Sequence, residues 1–317
     1  MQSHYLFVHF RETTSPEGEQ VYFALSRDGF HWEALNEGRP ILWAYYGDHG
    51  VRDMTIVRER EGGRVHIFAT DLSLSYGMRG KYAHSWDKIC EIGSKCLAHW
   101  VSDDLLHWSE EELIPLGTEE FGCVWAPDVI YDPEEKNYVL HWSSAVRGEK
   151  YMAIYCSRTT DFRQFTPPEV LYRKDDGTII DSAMYEEDGK FYLFVKGQGN
   201  PHRIMLLESD HVRGPFRRIS RFDEAMLAIQ EGKYEAPTAV RLDDGRWCLF
   251  LDYYGVAGKG QGYVPFVSNS LKSGDFVRSD AAFSFPYGFK HGTILRISEE
   301  EYSKMKAHDW TDVPDRR

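Results

Sequence analysis

Acidic residues recur at the start of similar segments: Asp53 in V-R-D-M-T-I-V, Asp128 in W-A-P-D-V-I-Y, Asp181 in I-I-D-S-A-M-Y and Glu235 in Y-E-A-P-T-A-V, with His291 in K-H-G-T-I-L ending the series. Each segment reads as the opening of a strand that brings one polar side chain to a common axis. Carboxylates gathered in a small cavity repel one another and raise at least one pKa unless a cation or a proton intervenes. A purely structural ring would place apolar residues there instead. Two well-separated carboxylates can invert a glycosidic bond: one protonates the leaving oxygen while the other activates water on the opposite face of the sugar.

The elements that must position these groups are legible from spacing. Successive intervals along the series are 75, 53, 54 and 56 residues. That period is too long for a helical hairpin repeat and suits a four-stranded propeller blade carrying loops. Serine-led turns ending in an aromatic form a second series, Ser26 to Trp32, Ser102 to Trp108, Ser157 to Phe162, Ser209 to Phe216 and Ser268 to Phe276, with the serines 76, 55, 52 and 59 residues apart. Both series share one long interval and three short ones. The extra length falls in a loop at roughly Leu72 to Ala98; on the pocket face it would close an open groove, and the sequence alone does not say which face carries it. Hairpin turns such as Glu187-Asp188-Gly189 and Asp243-Asp244-Gly245 separate the strands within a unit.

The N-terminal strand Tyr5 to Phe10 reaches its serine turn with no acidic landmark before it, and the strand opened by His291 has no serine turn after it. Each supplies what the other lacks. The expectation is an all-β, five-bladed propeller, a single domain over residues 1–317, closed by pairing of the N- and C-terminal strands so that no edge stays free. Helices are expected at Ser298 to Lys306, where a serine precedes three glutamates, and at Phe222 to Gln230.

Composition narrows the classes further. Tyr, Phe and Trp make up 15% of the chain, enough to fill wedges between blades and line a cleft. The net charge of -13 disfavours phosphate-backbone binding, so no nucleic-acid partner is expected. No apolar run reaches the length of a membrane span and the first residues lack a signal-like pattern, which leads us to expect a soluble, cytoplasmic chain. Cys90, Cys96, Cys123, Cys156 and Cys248 are odd in number and contain no C-x-x-C pair, indicating neither a disulfide framework nor a zinc site.

On these motifs the chain resembles glycoside hydrolase family 43, the five-bladed propeller enzymes of the arabinofuranosidase and xylosidase group, over nearly its whole length. The resemblance implies Asp53 as general base, Asp181 as the residue that orients the acid and modulates its pKa, and Glu235 as general acid. It makes Asp128 a supporting residue. It also makes His291 the holder of a water shell or of a channel cation such as calcium, with no cofactor required for the reaction. Asp53-Met54, Asp181-Ser182 and Glu235-Ala236 depart from the commoner D-P, D-P and E-G of that family, which points to an outlying subfamily. Arg52, Trp125, Asp128, Trp43 and Trp142 are the candidate substrate-binding residues, and the Arg52 charge would help keep Asp53 ionised. Weaker candidates for hydroxyl binding are His49, Asp71, Lys196 and Tyr253.

The implied activity is an inverting exo-glycosidase releasing a terminal pentose from plant-type oligosaccharide or polysaccharide side chains. α-L-Arabinofuranose is the favoured sugar. β-D-Xylose, β-D-galactose and a carbohydrate-binding propeller without turnover are the alternatives.

Overall fold

Along each long strand, neighbouring side chains point to opposite faces of the sheet, and here both faces are apolar. Ile67 packs with Leu6, Val8 and Trp100, whereas the adjacent Phe68 packs with Leu140, Trp142 and Tyr155. Leu193 and Phe194 divide in the same way between two further clusters. A sheet buried on both faces needs a neighbour on each side, and a ring of sheets supplies it.

The computed structural model describes residues 4–11, 15–198, 203–228, 233–254 and 262–310. They form five four-stranded antiparallel sheets, each a blade. From the centre outwards, blade 1 comprises Val51–Arg58, Val65–Asp71, Cys96–Ser102 and Glu112–Pro115. Blade 2 runs through Trp125–Asp132, Asn137–Ser144, Ala153–Thr159 and Glu169–Tyr172. Blade 3 runs through Thr178–Glu187, Lys190–Gln198, Ile204–Ser209 and Arg217–Arg218. Blade 4 runs through Lys233–Arg241, Trp247–Tyr254, Gly262–Ser268 and Val277–Arg278. Blade 5 joins the two ends of the chain: Phe289–Ile297 is innermost, followed by His4–Arg11, Tyr22–Ser26 and Trp32–Ala34. His4 pairs with Ile297 and Arg11 with Phe289, the seam that the two incomplete ends imply.

Polar bonds bridge every pair of adjacent blades near the axis. The Ile56 N–H donates to Thr293 Oγ1 at 2.8 Å, Thr55 Oγ1 to Asp128 Oδ1 at 3.0 Å, and the Met184 N–H to Asp128 Oδ2 at 2.8 Å. The Ala239 N–H donates to the Tyr185 hydroxyl at 2.7 Å, and the Gly292 N–H to the Tyr263 hydroxyl at 3.0 Å.

The serine turns are present with one correction. Ser26 and Ser102 accept the N–H of Gly29 and Leu105, but in blade 2 the same bond is made by Thr159 to the Phe162 N–H. Ser157 lies within the preceding strand, two residues too early. Threonine offers the same oxygen, and a search for serine alone passes over it. The C-terminal helix Glu299–Ala307 starts at Ser298, whose side chain and that of Glu301 cap one another's backbone. The second expected helix is Ser220–Ala228; residues 229 and 230 lie outside the described residues. The long first interval holds two short helices, Leu74–Gly77 and Trp86–Ile92. Buried Glu19 pins the first of them by accepting the Leu74 and Ser75 N–H groups.

Candidate active site

All five innermost strands carry a bulge near their start: in blade 5 His291 is the single residue skipped between Lys290 and Gly292, and in the other four blades two residues are skipped. In those four, pairing slips between Arg52 and Thr55, Trp125 and Asp128, Ile180 and Ala183, and Glu235 and Thr238. The first extra residue is left-handed each time: Asp53 at φ 52°, Ala126 at 49°, Asp181 at 51° and Ala236 at 53°. Non-glycine residues rarely adopt this conformation, and bulges that hold it re-aim side chains beside functional sites. The landmarks therefore occupy different positions. Asp53 and Asp181 are the left-handed residues themselves, Glu235 stands one residue before its bulge, and Asp128 follows its bulge.

Three carboxylates and their cations meet where these strands begin. His291 Nδ1 lies 3.1 Å from Asp53 Oδ1, and the Thr70 hydroxyl donates to Asp53 Oδ2 at 3.1 Å. Burial pushes the Asp53 carboxyl up, but His291, Arg52 and the Thr70 bond together hold it below its ordinary value. His291 is the reverse case: burial pushes it down, yet Asp53, Asp181 and Glu235 carry it above an ordinary imidazole. Asp181 accepts the Ala236 N–H at 3.3 Å and is raised, by burial first and then, against His291 and Lys196, by the charges of Glu235 and Asp53.

Glu235 sits between two lysines, with Lys196 Nζ 2.6 Å from Oε2 and Lys290 Nζ 3.5 Å from Oε1. Burial raises its carboxyl, but the lysine charges outweigh burial and hold it low. Lys290 Nζ also lies 2.5 Å from Oδ2 of Asp252, on the second strand of blade 4, whose carboxyl burial pushes up to about 6.

Residues 2–303 match the family described as "Probable glycosyl hydrolase domain", a relative of glycoside hydrolase family 43. The chain belongs to that family. It is 26% identical over 209 residues to an alpha-L-arabinofuranosidase of Bifidobacterium longum subsp. longum, a match covering 59% of this chain and 19% of that protein. It is 25% identical over 279 residues to a sucrose-6-phosphate hydrolase of Klebsiella pneumoniae, covering 80% of this chain and 54% of the other. The chain thus spans about half or less of the length of these curated relatives. Its fold is shared with an exo-1,5-alpha-L-arabinanase from a bovine ruminal metagenomic library, at a TM-score of 0.59 and 15% identity, covering 88% of this chain and 93% of that one.

In this member of the glycosyl hydrolase family the expected binding residues divide. Trp125 stays beside the acids: its neighbour Ala126 donates its N–H to Thr70 Oγ1 at 2.8 Å, and the Trp86 ring stands edge-on to it at 6.3 Å. The insertion carrying Trp86 therefore stands on the acid side of blade 2. Arg52 is buried and paired with Glu19 at 3.0 Å, so its influence on Asp53 is through charge. Trp142 is corrected to core: it is fully buried, with its indole N–H on Ser144 Oγ. Both faces of its strand are buried, so alternation could not distinguish the two readings. Asp128 takes the expected supporting place, as the bridge between blades 1 and 3. Trp43 lines a separate cavity with Trp108 and Trp310.

Among the described residues no group of three or more His, Cys, Asp or Glu is placed to hold a metal ion. Lys290 and Thr70 were not anticipated. Lys290 stands next to His291 in the sequence, whereas nothing local marks Thr70.

Proposed function

We propose that the chain is an inverting exo-glycosidase that removes terminal pentose residues, α-L-arabinofuranose first among them, from plant-type polysaccharide side chains. The observation that carries this reading is the meeting of Asp53, Asp181 and Glu235, from three blades, around His291. Asp53 would take a proton from water as the water oxygen attacks the anomeric carbon. Glu235 would give a proton to the leaving oxygen as the glycosidic C–O bond breaks. Lys196 favours the ionised form of Glu235. The reading therefore requires the leaving oxygen to take the place of Lys196 at Oε2, with Glu235 gaining its proton in that exchange.

Membership of a glycosyl hydrolase family supports hydrolysis, and the match to an alpha-L-arabinofuranosidase supports the choice of sugar. The insertion packed against Trp125 supports exo action, because chain on the acid side of blade 2 would stand in the way of a polymer running across the acids.

Two measurements test the roles. Glu235→Ala should cripple cleavage of an unactivated disaccharide while sparing more activity on an aryl glycoside whose leaving group scarcely needs protonation, and Asp53→Ala should lose both. Equal impairment of folded Glu235→Ala on both substrates would defeat the assignment. Proton NMR of the first product should show inverted anomeric configuration; retention would exclude the mechanism.

A further inference from the structure

The described residues also line a cavity of about 680 Å³, open to one side, between the outer parts of blades 5 and 1, and neither the three carboxylates nor His291 lines it. Its walls come from three segments. Trp43, Tyr45 and Tyr46 lie on the loop leading into blade 1, Trp108 and Glu111 lie between its third and fourth strands, and Trp310 follows the C-terminal helix. Glu111 organises one wall. It is 6% exposed, and its Oε2 accepts the Tyr45 and Tyr46 N–H groups. Its Oε1 has no hydrogen-bond partner among the described residues, and burial, helped by the Asp71 charge, raises the carboxyl to about 7.

Leaving a buried carboxyl oxygen unpaired costs free energy that an apolar side chain would avoid. An aromatic cavity of this size with a few convergent polar groups, one of them strongly perturbed, has the attributes of a ligand site. The chemistry also selects the guest. Glu110, Glu111 and Asp309 outnumber the two histidines of the lining, His107, which is paired with Asp104, and His308, and so disfavour an anion; a carboxyl in the wall disfavours a purely apolar chain. Flat indole and phenol faces beside hydrogen-bond acceptors match the apolar faces and hydroxyl rim of a sugar.

We propose that this cavity is a second saccharide-binding site, which takes a unit of a neutral polysaccharide chain and holds the polymer while another part of it is processed. The choice of a sugar as guest rests on the glycosidase reading; the presence of a binding site does not.

The test is affinity electrophoresis of the full chain through native gels containing soluble arabinan or xylan, run beside an aryl-glycoside assay. Wild type should be retarded. Trp108→Ala and Tyr46→Ala should bind at least 5-fold more weakly while their aryl-glycoside turnover stays at the wild-type level. Tyr46 is 53% exposed, so its variant remains informative if Trp108→Ala fails to fold, which thermal unfolding would reveal. Absence of retardation by either polymer, or retardation unchanged in a folded variant, would overturn the proposal. So would tryptophan quenching by tetramethylammonium without retardation by polysaccharide, since it would assign the cavity to cations. Retardation that depends on Tyr46 in a chain with no turnover would uphold this site and reject the glycosidase reading.

Discussion

The 2.6 Å contact between Lys196 and Glu235 sets the protonation of the ligand-free site. If Glu235 is the acid, activity falls as pH rises through its pKa. Removing a cation raises that pKa, so Lys196→Met should move the alkaline limb of the kcat/KM profile upward. His291 acts on the other limb. It holds Asp53 low, so His291→Gln should raise the Asp53 pKa and move the acid limb upward as well. Parallel pH profiles of the two folded variants check both directions, and a downward move of either limb contradicts the assignment. The acids were legible because each opens a strand with a distinctive motif. Lys196 was seen only as a weak hydroxyl-binding candidate, because its role depends on pairing: the register sets Lys196 opposite Ile180, next to Asp181, and no local signal reports a cross-strand neighbour.

At the scale of the strand, the bulges convert a repeated motif into different aims. Ala236 illustrates the constraint: it is buried, at φ 53°, immediately after the proposed acid. A β-branched side chain there should be strained by about 1–3 kcal/mol, whereas glycine accepts the conformation freely. Ala236→Val is thus expected to be the less stable of the two variants in denaturant unfolding and to lose more activity, with Ala236→Gly within about 1 kcal/mol of wild type. An extra unpaired residue does not break the apolar pattern of a strand buried on both faces. For that reason the segments looked equivalent in the sequence, although Asp128 falls past its bulge and turns into the ring. Thr159 made the complementary case: chemistry was kept while the residue letter changed.

For the molecule as a whole, Asp128 ties three blades together while burial raises its carboxyl to about 6 from 3.8. A group raised on folding favours the folded state fully below its unfolded pKa, and that contribution is lost as pH rises through the folded value. Stability should therefore decline between about pH 4 and 6, by on the order of 1–3 kcal/mol from this residue. Asp128→Asn keeps one acceptor oxygen for the Met184 N–H but must reverse the bond to the Thr55 hydroxyl, at a cost of about 1 kcal/mol. It should nevertheless show a shallower decline than wild type when unfolding free energies are measured from about pH 4 to 8. An equal slope in the two proteins would remove Asp128 as a source of the dependence. The five-blade count and its closure were readable because two series carried the same pattern of one long and three short intervals. The inter-blade bonds were not, since they join residues that share no pattern.

The seam at His4–Arg11 and Phe289–Ile297 has a consequence in time. Of the described strands, His4–Arg11 leaves the ribosome before the rest and is among the last to find its inner partner. At about 5–20 residues per second, it waits on the order of tens of seconds with one edge unpaired. Apart from Arg11 this strand is buried in the finished ring, so it is a sticky edge while it waits. Two growing chains on one message could exchange these strands, each closing the other's ring, and the resulting linked dimers would increase with crowding of the message rather than with the concentration of finished protein.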